Sequence, residues 1–452
     1  MIPANKKIDS VVWGGTAITM DPSLRVVSDA VITISSGKIQ SISSERNFTP
    51  PDGLESTDAR GCLVMPGLIN GHTHAGMTLL RGIADDLPLY DWLRKHIFPL
   101  ERKLGSQEFV SLGTKLACLE MIRSGTTLFN DMYYFEEATA KTANEMGIRA
   151  ICGQTYVGIS GVEITSELFQ KFDSFFAEIQ NYPLIIGAIA PHSIYGLPEK
   201  LWKEMISYAE RNNLLVHTHL CEAKEEFEKI KLERGVTPVE WFESIGLWER
   251  KTVCAHSVEL SASDISFLGK RKVGIVYNPE SNLKLGNGIC PVVELRAAGA
   301  PVSFGTDSTA SNNNLDLFRE ADFGTKIQAF KYGVGKLPAL ESVKMLTIEG
   351  AKALYMDHLV GSLETGKSAD LIILDVRSPH AVPIYDWYSY LVYSASQSDV
   401  RDTMVAGQLL MKNRQMLRCD EKGILDEAQR WGIRIKKLDL SLRKRRWIDY
   451  FF

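Results

Sequence analysis

At 452 residues the chain exceeds the usual single-domain size, so one large domain with a smaller one is the natural expectation. Its composition, 45% hydrophobic and 23% charged, is that of an ordinary soluble globular protein, and a formal charge of −4 gives no electrostatic reason to expect nucleic acid or an anionic membrane as partner. No apolar run approaches the roughly 18 residues of a spanning helix, MIPANKKIDS lacks an apolar export signal, and seven scattered cysteines without CxxC spacing suit a reducing compartment. A cytoplasmic location is the expectation.

In chain order, residues 8–64 read as short alternating strands (Ser10–Trp13, Ala17–Met20, Ala30–Ser35, Lys38–Ile42) broken by Gly14-Gly15, Asp21-Pro22 and Ser36-Gly37 turns. From Leu63 to about Tyr355 apolar β-type runs alternate with helical periodicity, the pattern of a parallel sheet with crossover helices. The strand candidates are Leu63–His74, Thr126–Met132, Arg149–Tyr156, Leu184–Ser193, Leu214–Glu222, Thr252–Val258, Val273–Pro279 and Pro301–Ser308. Amphipathic stretches such as Gln107–Arg123, Glu136–Glu145, Lys200–Arg211, Ala262–Leu268 and Val292–Ala298 lie between them. Eight such units predict an α/β fold, a (β/α)8 TIM-type barrel whose active site lies at the C-terminal strand ends.

Short strands return in Gly361–Asp375 and Val400–Met411 and are expected to join the first ones in a small β-sandwich made from both chain ends. The expected organisation is 1–64 and 359–418 for the two parts of the sandwich, 65–358 for the barrel and 419–452 for a basic helical tail. The tail cations (Arg434, Lys436, Lys437, Arg443, Lys444, Arg445, Arg446) read as a solvated helix packed on the barrel or on a neighbouring subunit, in preference to an anion site.

Chemistry-bearing residues fall at the strand ends. His72 and His74 alternate on an extended segment, so both imidazoles share a face, half of a zinc or iron site. The fifth candidate strand ends in His217-Thr218-His219-Leu220-Cys221-Glu222, whose H-x-x-E pair sets an imidazole beside a carboxylate. The sixth ends at His256, the eighth at Asp307.

With these motifs the chain resembles the amidohydrolase superfamily, and within it the 5-methylthioadenosine/S-adenosylhomocysteine deaminase group. The resemblance runs over nearly the whole chain, from the Pro66-Gly67-Leu68-Ile69-Asn70 lead-in to Gly366–Leu371. It is carried by HTHAGMTLLRGIADDLPLYDWL (72–93), PHSIYG (191–196), HLCE (219–222), NPESNLKLGNG (278–288) and GTDSTASNN (305–313). It implies a metal held by His72, His74, His219 and Asp307, with Glu222 and Asp307 moving protons and His256 hydrogen-bonding the attacking oxygen. Zn2+ is the expected ion, with Fe2+ or Mn2+ compatible with the same ligands. The candidate fourth strand, LIIGAIAPHS, has no lysine to bridge two metals, so one ion per subunit is expected.

By the same resemblance Glu101 would take the ribose hydroxyls, His192 would lie near the sugar and Trp92 would wall the base, with Glu222 and Asp307 also meeting the substrate. The implied reaction is hydrolytic deamination of an adenine nucleoside (5′-methylthioadenosine, S-adenosylhomocysteine, adenosine or 5′-deoxyadenosine), by a protein expected to be homo-oligomeric. One departure matters. Where members accepting S-adenosylhomocysteine place an arginine at the end of strand three, this chain has Gln154, and no Lys or Arg occurs between Arg149 and Lys171. Uncharged 5′ groups are therefore expected to be preferred.

The rival readings are a related hydrolase acting on a free base or triazine (a guanine or cytosine deaminase, or a chlorohydrolase) and a catalytically dead barrel kept for binding. His217 reads as a barrel-interior histidine; His96, His358 and His380 as surface or packing residues; Cys221 as packing; Asp85 and Asp86 as loop charges as readily as site residues.

Overall fold

The computed structural model describes residues 8–156 and 166–451, with side chains described for 8–156 and 167–440. The chain opens with β1 (Ser10–Ile18), β2 (Val26–Ser35), β3 (Lys38–Ser44), β4 (Glu55–Asp58) and β5 (Cys62–Pro66). The two strands expected at Ser10–Trp13 and Ala17–Met20 are one, since the Gly14-Gly15 pair makes an irregularity inside β1 and does not end it.

Leu63–His74 shows the opposite behaviour. It is two strands, β5 and β6 (Leu68–Thr73), separated at Gly67, where a Cβ would lie 2.1 Å from the Thr127 Oγ1. β5 stays with the end sheet while β6 opens the barrel, so the apolar run bridges two sheets.

β6 is followed by β7 (Thr126–Tyr133), β8 (Arg149–Tyr156), β9 (Ile185–Pro191), β10 (Leu215–Leu220), β11 (Thr252–His256), β12 (Gly274–Tyr277) and β13 (Val302–Phe304), all paired parallel in sequence order. The ring nearly closes between β13 and β6. Just beyond β13, the Asp307 N–H donates to the His72 carbonyl (3.0 Å), while the Asn70 side chain accepts from the Thr306 N–H (3.1 Å) and donates to its hydroxyl (2.8 Å). The expected barrel is therefore present.

Near the N-terminal strand ends Ile69, Leu128, Ile151, Leu215, Val253 and Val276 form a buried plug with Leu354, Met356 and Val360. Packing fills that end and leaves the other for chemistry.

Between β6 and the helix Gln107–Arg123 the chain makes an excursion with no simple period. A 3-10 turn (Ala75–Leu80), a short helix (Leu89–Trp92), a π turn (Leu93–Ile97) and a helix (Phe98–Leu104) cover the C-terminal mouth of the barrel. Other helices match their expected positions closely, among them Glu136–Met146, Glu199–Arg211 and Val292–Ala298.

Beyond the barrel, β14 (Leu371–Asp375), β15 (Val400–Val405), β16 (Gln408–Lys412) and β17 (Gln415–Met416) return to the first sheet. Among the described residues this is one nine-stranded mixed sheet, ordered β17-β16-β15-β14-β5-β1-β2-β3, with β4 also on β1. The β2–β3 turn meets the β15–β16 turn, where a Cβ on Gly37 would lie 2.7 Å from the Ala406 carbonyl, and Ile32, Ile34, Ile373 and Met404 share the enclosed core. The sheet thus closes on itself as the expected sandwich.

A buried ion pair joins this sheet to the barrel. Arg149, at the start of β8, donates to both Asp370 oxygens (3.0 and 3.1 Å) and to the Ser368 hydroxyl (3.0 Å), with both charged side chains at most 5% exposed. Replacing one partner strands the other charge in a dry seam. Arg149→Met is expected to cost about 3–5 kcal/mol, measured as a lowered urea midpoint. An unchanged midpoint would mean that Ser368 and the Ala406 N–H satisfy Asp370 alone.

The last helix, Glu421–Phe451, lies along Gln107–Arg123 through Trp431, whose ring centroid is 5.7 Å from that of Phe109, and through buried Ile424 and Ile435. Arg434, Lys436 and Lys437 face solvent; the side chains of Arg443, Lys444, Arg445 and Arg446 lie outside the described residues. No described helix is long and apolar enough to cross a membrane.

Candidate metal centre and substrate cavity

Strand ends place five polar side chains around one point. The ligand atoms of His72, His74 and His219 lie within 4.8 Å of one another, as do those of His72, His256 and Asp307. Several of the residues ending these strands turn the chain with positive φ: Cys221 (48°), His256 (73°) and Asp307 (56°). Such backbone costs on the order of 1–3 kcal/mol per residue and persists where surrounding contacts impose it, often at functional sites.

Each imidazole of the first group is oriented through its Nδ1. The His72 Nδ1 lies 2.9 Å from the His217 Nε2, the His74 Nδ1 donates to the Met132 carbonyl, and the His219 Nδ1 donates to the His192 carbonyl at 2.8 Å. Their Nε2 atoms are left for the centre, and that of His72 is buried with no hydrogen-bond partner among the described residues.

Burial holds the His72 imidazole down to about 4 and that of His219 well below its usual range. Burial also opposes protonation of His74, but hydrogen bonding to Asp307 raises it overall. The Asp307 Oδ1 lies 3.5 Å from the His72 Nε2 and 3.3 Å from the His74 Nε2, while its Oδ2 accepts hydroxyls from Ser281 (2.5 Å) and Ser311 (2.8 Å). Burial works against its charge, yet the two imidazoles keep the carboxyl well below the usual carboxylate range. Three imidazoles offering Nε2 and one anionic oxygen fit a divalent ion with Zn-type ligands.

His256 is held differently. Its Nδ1 accepts from the Asn282 amide at 2.8 Å, which places the proton of the neutral ring on Nε2, and burial lowers it to about 3. That Nε2 is 3.9 Å from the Glu222 Oε1. Glu222 is buried and accepts from the Asn287 amide (3.2 Å); burial, Asp307 and Glu226 raise its carboxyl well above the usual range. Glu226 fixes the turn beneath it by accepting the backbone N–H groups of Cys221 (3.3 Å) and Glu222 (3.0 Å).

His74, His219, Asp307, His256 and Glu222 form the floor of a cavity of about 560 Å³, mouth included. Glu101, Trp92 and His192 line the same cavity, and fully buried His72 lies behind its floor, next to Asp307, His74 and His219, so the sequence-expected site residues come together. The Trp92 ring is buried with its indole N–H unpartnered among the described residues. The His192 ring centroid is 4.4 Å from that of His219, and Glu101 accepts from the Tyr133 hydroxyl at 2.7 Å. Burial lifts the Glu101 carboxyl above its usual range against that hydrogen bond. No lysine or arginine lines the cavity among the described residues.

An amidohydrolase family model matches residues 63–410, more than half of the sequence. The chain belongs to the amidohydrolase family. Within it, the chain is 40% identical over 428 residues to the 5-methylthioadenosine/S-adenosylhomocysteine deaminase of Thermodesulfovibrio yellowstonii, covering 93% of this chain and 97% of the relative. It is 37% identical over 401 residues to the 5′-deoxyadenosine deaminase of Methanothermobacter thermautotrophicus, covering 88% and 93%. Among solved structures, an adenosine deaminase from Xanthomonas campestris with bound zinc superposes with a TM-score of 0.91 at 32% identity, covering 95% of this chain and 99% of that one.

Hydrogen bonds to the site residues come from further residues that the sequence left without roles. His217, placed in the barrel interior, stands directly behind His72. Ser281, Asn282 and Asn287 support Asp307, His256 and Glu222 from one segment, within the 278–288 motif. A Ser-Asn pair opening a helix straight after a barrel strand was the available signal. Asp85 instead pairs with Lys284 at 2.6 Å, Cys221 is buried, and His380 meets Asp399 at 2.9 Å in the end domain.

Proposed function

We propose that the chain hydrolytically deaminates C6 of adenine nucleosides, giving the inosine analogue and ammonia. The observation carrying this reading is that the converging imidazoles, Asp307, Glu222 and His256 meet beneath a cavity whose wall presents Glu101, Trp92 and His192. His72, His74, His219 and Asp307 would hold one ion, zinc in the first instance. When bound, that ion supplies Lewis acidity, lowering the pKa of a water toward about 7.

The protein's own groups do the rest. Glu222, whose environment favours a carboxyl that readily keeps a proton, takes one from the attacking water and passes it to the purine ring nitrogen. The His256 Nε2–H donates to the attacking oxygen. Asp307, held anionic, takes the second proton from the attacking oxygen and hands it to the C6 amine, which leaves as ammonia. Trp92 walls the base, His192 lies by the sugar, and Glu101 accepts the 2′ and 3′ hydroxyls, for which a carboxylate has the lone pairs.

The cavity lining supports a preference at the 5′ end. With Glu101, Glu222 and Asp307 in the wall and no lysine or arginine among the described lining residues, an amino-acid carboxylate at the 5′ end of the substrate would be desolvated without a partner. Gln154, at the end of β8, adds no charge, and residues 157–165, outside the described structure, include no Lys or Arg.

Ammonia release on a panel of 5′-methylthioadenosine, adenosine, 5′-deoxyadenosine, S-adenosylhomocysteine, guanine and cytosine, with chloride release from a chlorotriazine, tests the proposal. Uncharged adenine nucleosides are expected to lead, with S-adenosylhomocysteine at least about tenfold lower in kcat/KM, the scale of one unpaired polar group. Turnover of only a free base or the triazine would overturn the nucleoside reading. S-adenosylhomocysteine in the lead would overturn the argument from charge alone.

A further inference from the structure

We propose that Tyr133 is a specificity-determining residue for the sugar, presenting Glu101 to a vicinal diol and setting that clamp at a fixed reach from the metal centre. The proposal rests on the reading of Glu101 given above.

Glu101 sits in the helix Phe98–Leu104, part of the excursion that covers the barrel mouth, whereas Tyr133 ends β7 on the barrel rim. Their hydrogen bond, from the Tyr133 hydroxyl to the Glu101 Oε1 at 2.7 Å, ties the cover to the rim. No protein donor meets the Glu101 Oε2 among the described residues, so a carboxylate with about four acceptor directions has one filled. Two adjacent O–H groups would find Oε2 free together with the remaining lone pair of Oε1. Without the phenol, the carboxylate would be free to rotate and both oxygens would lack a fixed direction.

Tyr133 is itself held tightly. Its backbone N–H donates to the Glu136 Oε1 at 2.6 Å, and its ring lies against Gly76, where a Cβ would stand 2.6 Å from its Cδ1. The preceding residue supplies the other half of the arrangement, because the Met132 carbonyl accepts from the His74 Nδ1. Successive residues of one strand therefore orient the ligand at the reacting end (Met132, through His74) and the acceptor at the sugar end (Tyr133, through Glu101). Glu101 rides on a covering helix, and its hydrogen bond to Tyr133 ties the distance from reacting carbon to diol to one peptide of the strand. A nucleoside spans both ends; a free base spans one.

The test compares kcat and KM of metal-loaded wild type, Tyr133→Phe and Glu101→Gln on adenosine and 2′,3′-dideoxyadenosine, with metal content and thermal midpoint measured alongside. Tyr133→Phe removes one oxygen and keeps the ring against Gly76. It is expected to lower kcat/KM for adenosine about tenfold, mainly through KM, the scale of one charge-assisted hydrogen bond, leaving 2′,3′-dideoxyadenosine within about twofold and metal content unchanged. Glu101→Gln is expected to erase the preference for the riboside. If Glu101→Gln keeps the wild-type preference, or wild type has none, the reading of Glu101 fails and the Tyr133 proposal with it. If Glu101→Gln loses the preference and Tyr133→Phe retains it, or lowers both substrates equally, the reading of Glu101 stands and the Tyr133 proposal is overturned.

Discussion

Replacing Glu222 with Gln is expected to lower the deamination kcat by about 10³-fold while the metal content stays at the wild-type level. The two side chains have the same shape, and the amide oxygen of Gln can still accept from Asn287, as Glu222 does at 3.2 Å. The turn that carries residue 222 is held by Glu226 through backbone N–H groups, so the substitution leaves its position intact. Glu222 also lies outside both groups of converging ligand atoms. What is lost is a group that can take and return a proton in a site from which water is largely excluded. Ammonia release in single turnover, paired with metal analysis of the same sample, separates the two effects. A variant within about tenfold of wild type would remove Glu222 from the proton path, and one that has lost its metal would make Glu222 a ligand.

Asp307→Asn is expected to affect both metal and rate: affinity for the ion lower by about 10–100-fold and kcat lower by about 10³-fold even at saturating metal. The reason is directional. The Asp307 Oδ2 is fixed by the Ser281 and Ser311 hydroxyls, and its Oδ1 faces the His72 and His74 Nε2 atoms. In an Asn that keeps the hydroxyl bonds, the amide oxygen takes the Oδ2 place and the NH2 group turns toward the two imidazoles. A donor then competes for the lone pairs that would bind the ion, and no anion remains to accept a proton. Competition with a chelator of known affinity reads the first effect and metal-saturated kinetics the second. Unchanged metal affinity would show that the three imidazoles suffice as ligands.

Much of this arrangement was legible because the candidate ligands ride on strand ends. Alternation along the extended segment ending in His72-Thr73-His74 puts both imidazoles on one side, and the spacing of His219 to Glu222 favours His219 over His217 before any coordinates are known. The three-dimensional result adds a physical reason for that distinction. His217 is one alternation deeper in the barrel, where its Nε2 meets the His72 Nδ1 and so orients a neighbour without reaching the centre. Barrel strands were readable as apolar runs, since strands buried on both faces need no polar alternation.

Other features were hidden for an equally physical reason. The division of Leu63–His74 depends on β5 pairing with β14, some three hundred residues later, and on Thr127 filling the space beside Gly67. Local periodicity carries no record of such partners. The covering excursion between Ala75 and Leu104 mixes 3-10, α and π turns, so it has no single period to detect, although its residues stood out as a family motif.

By itself, then, the sequence determined the alternating strands and helices of the barrel, the short-strand character of both end segments, and the identity of the polar residues at the strand ends, all of which follow from side-chain periodicity and residue chemistry within short windows. Only the tertiary structure decided which ring nitrogen of each histidine faces the centre, which oxygen of Asp307 is free, and that Tyr133 joins Glu101 to the rim. Those outcomes depend on hydrogen bonds to partners as much as 145 residues away, as between His72 and His217. Directional bonds of this kind are set by the packing of whole strands and helices against one another.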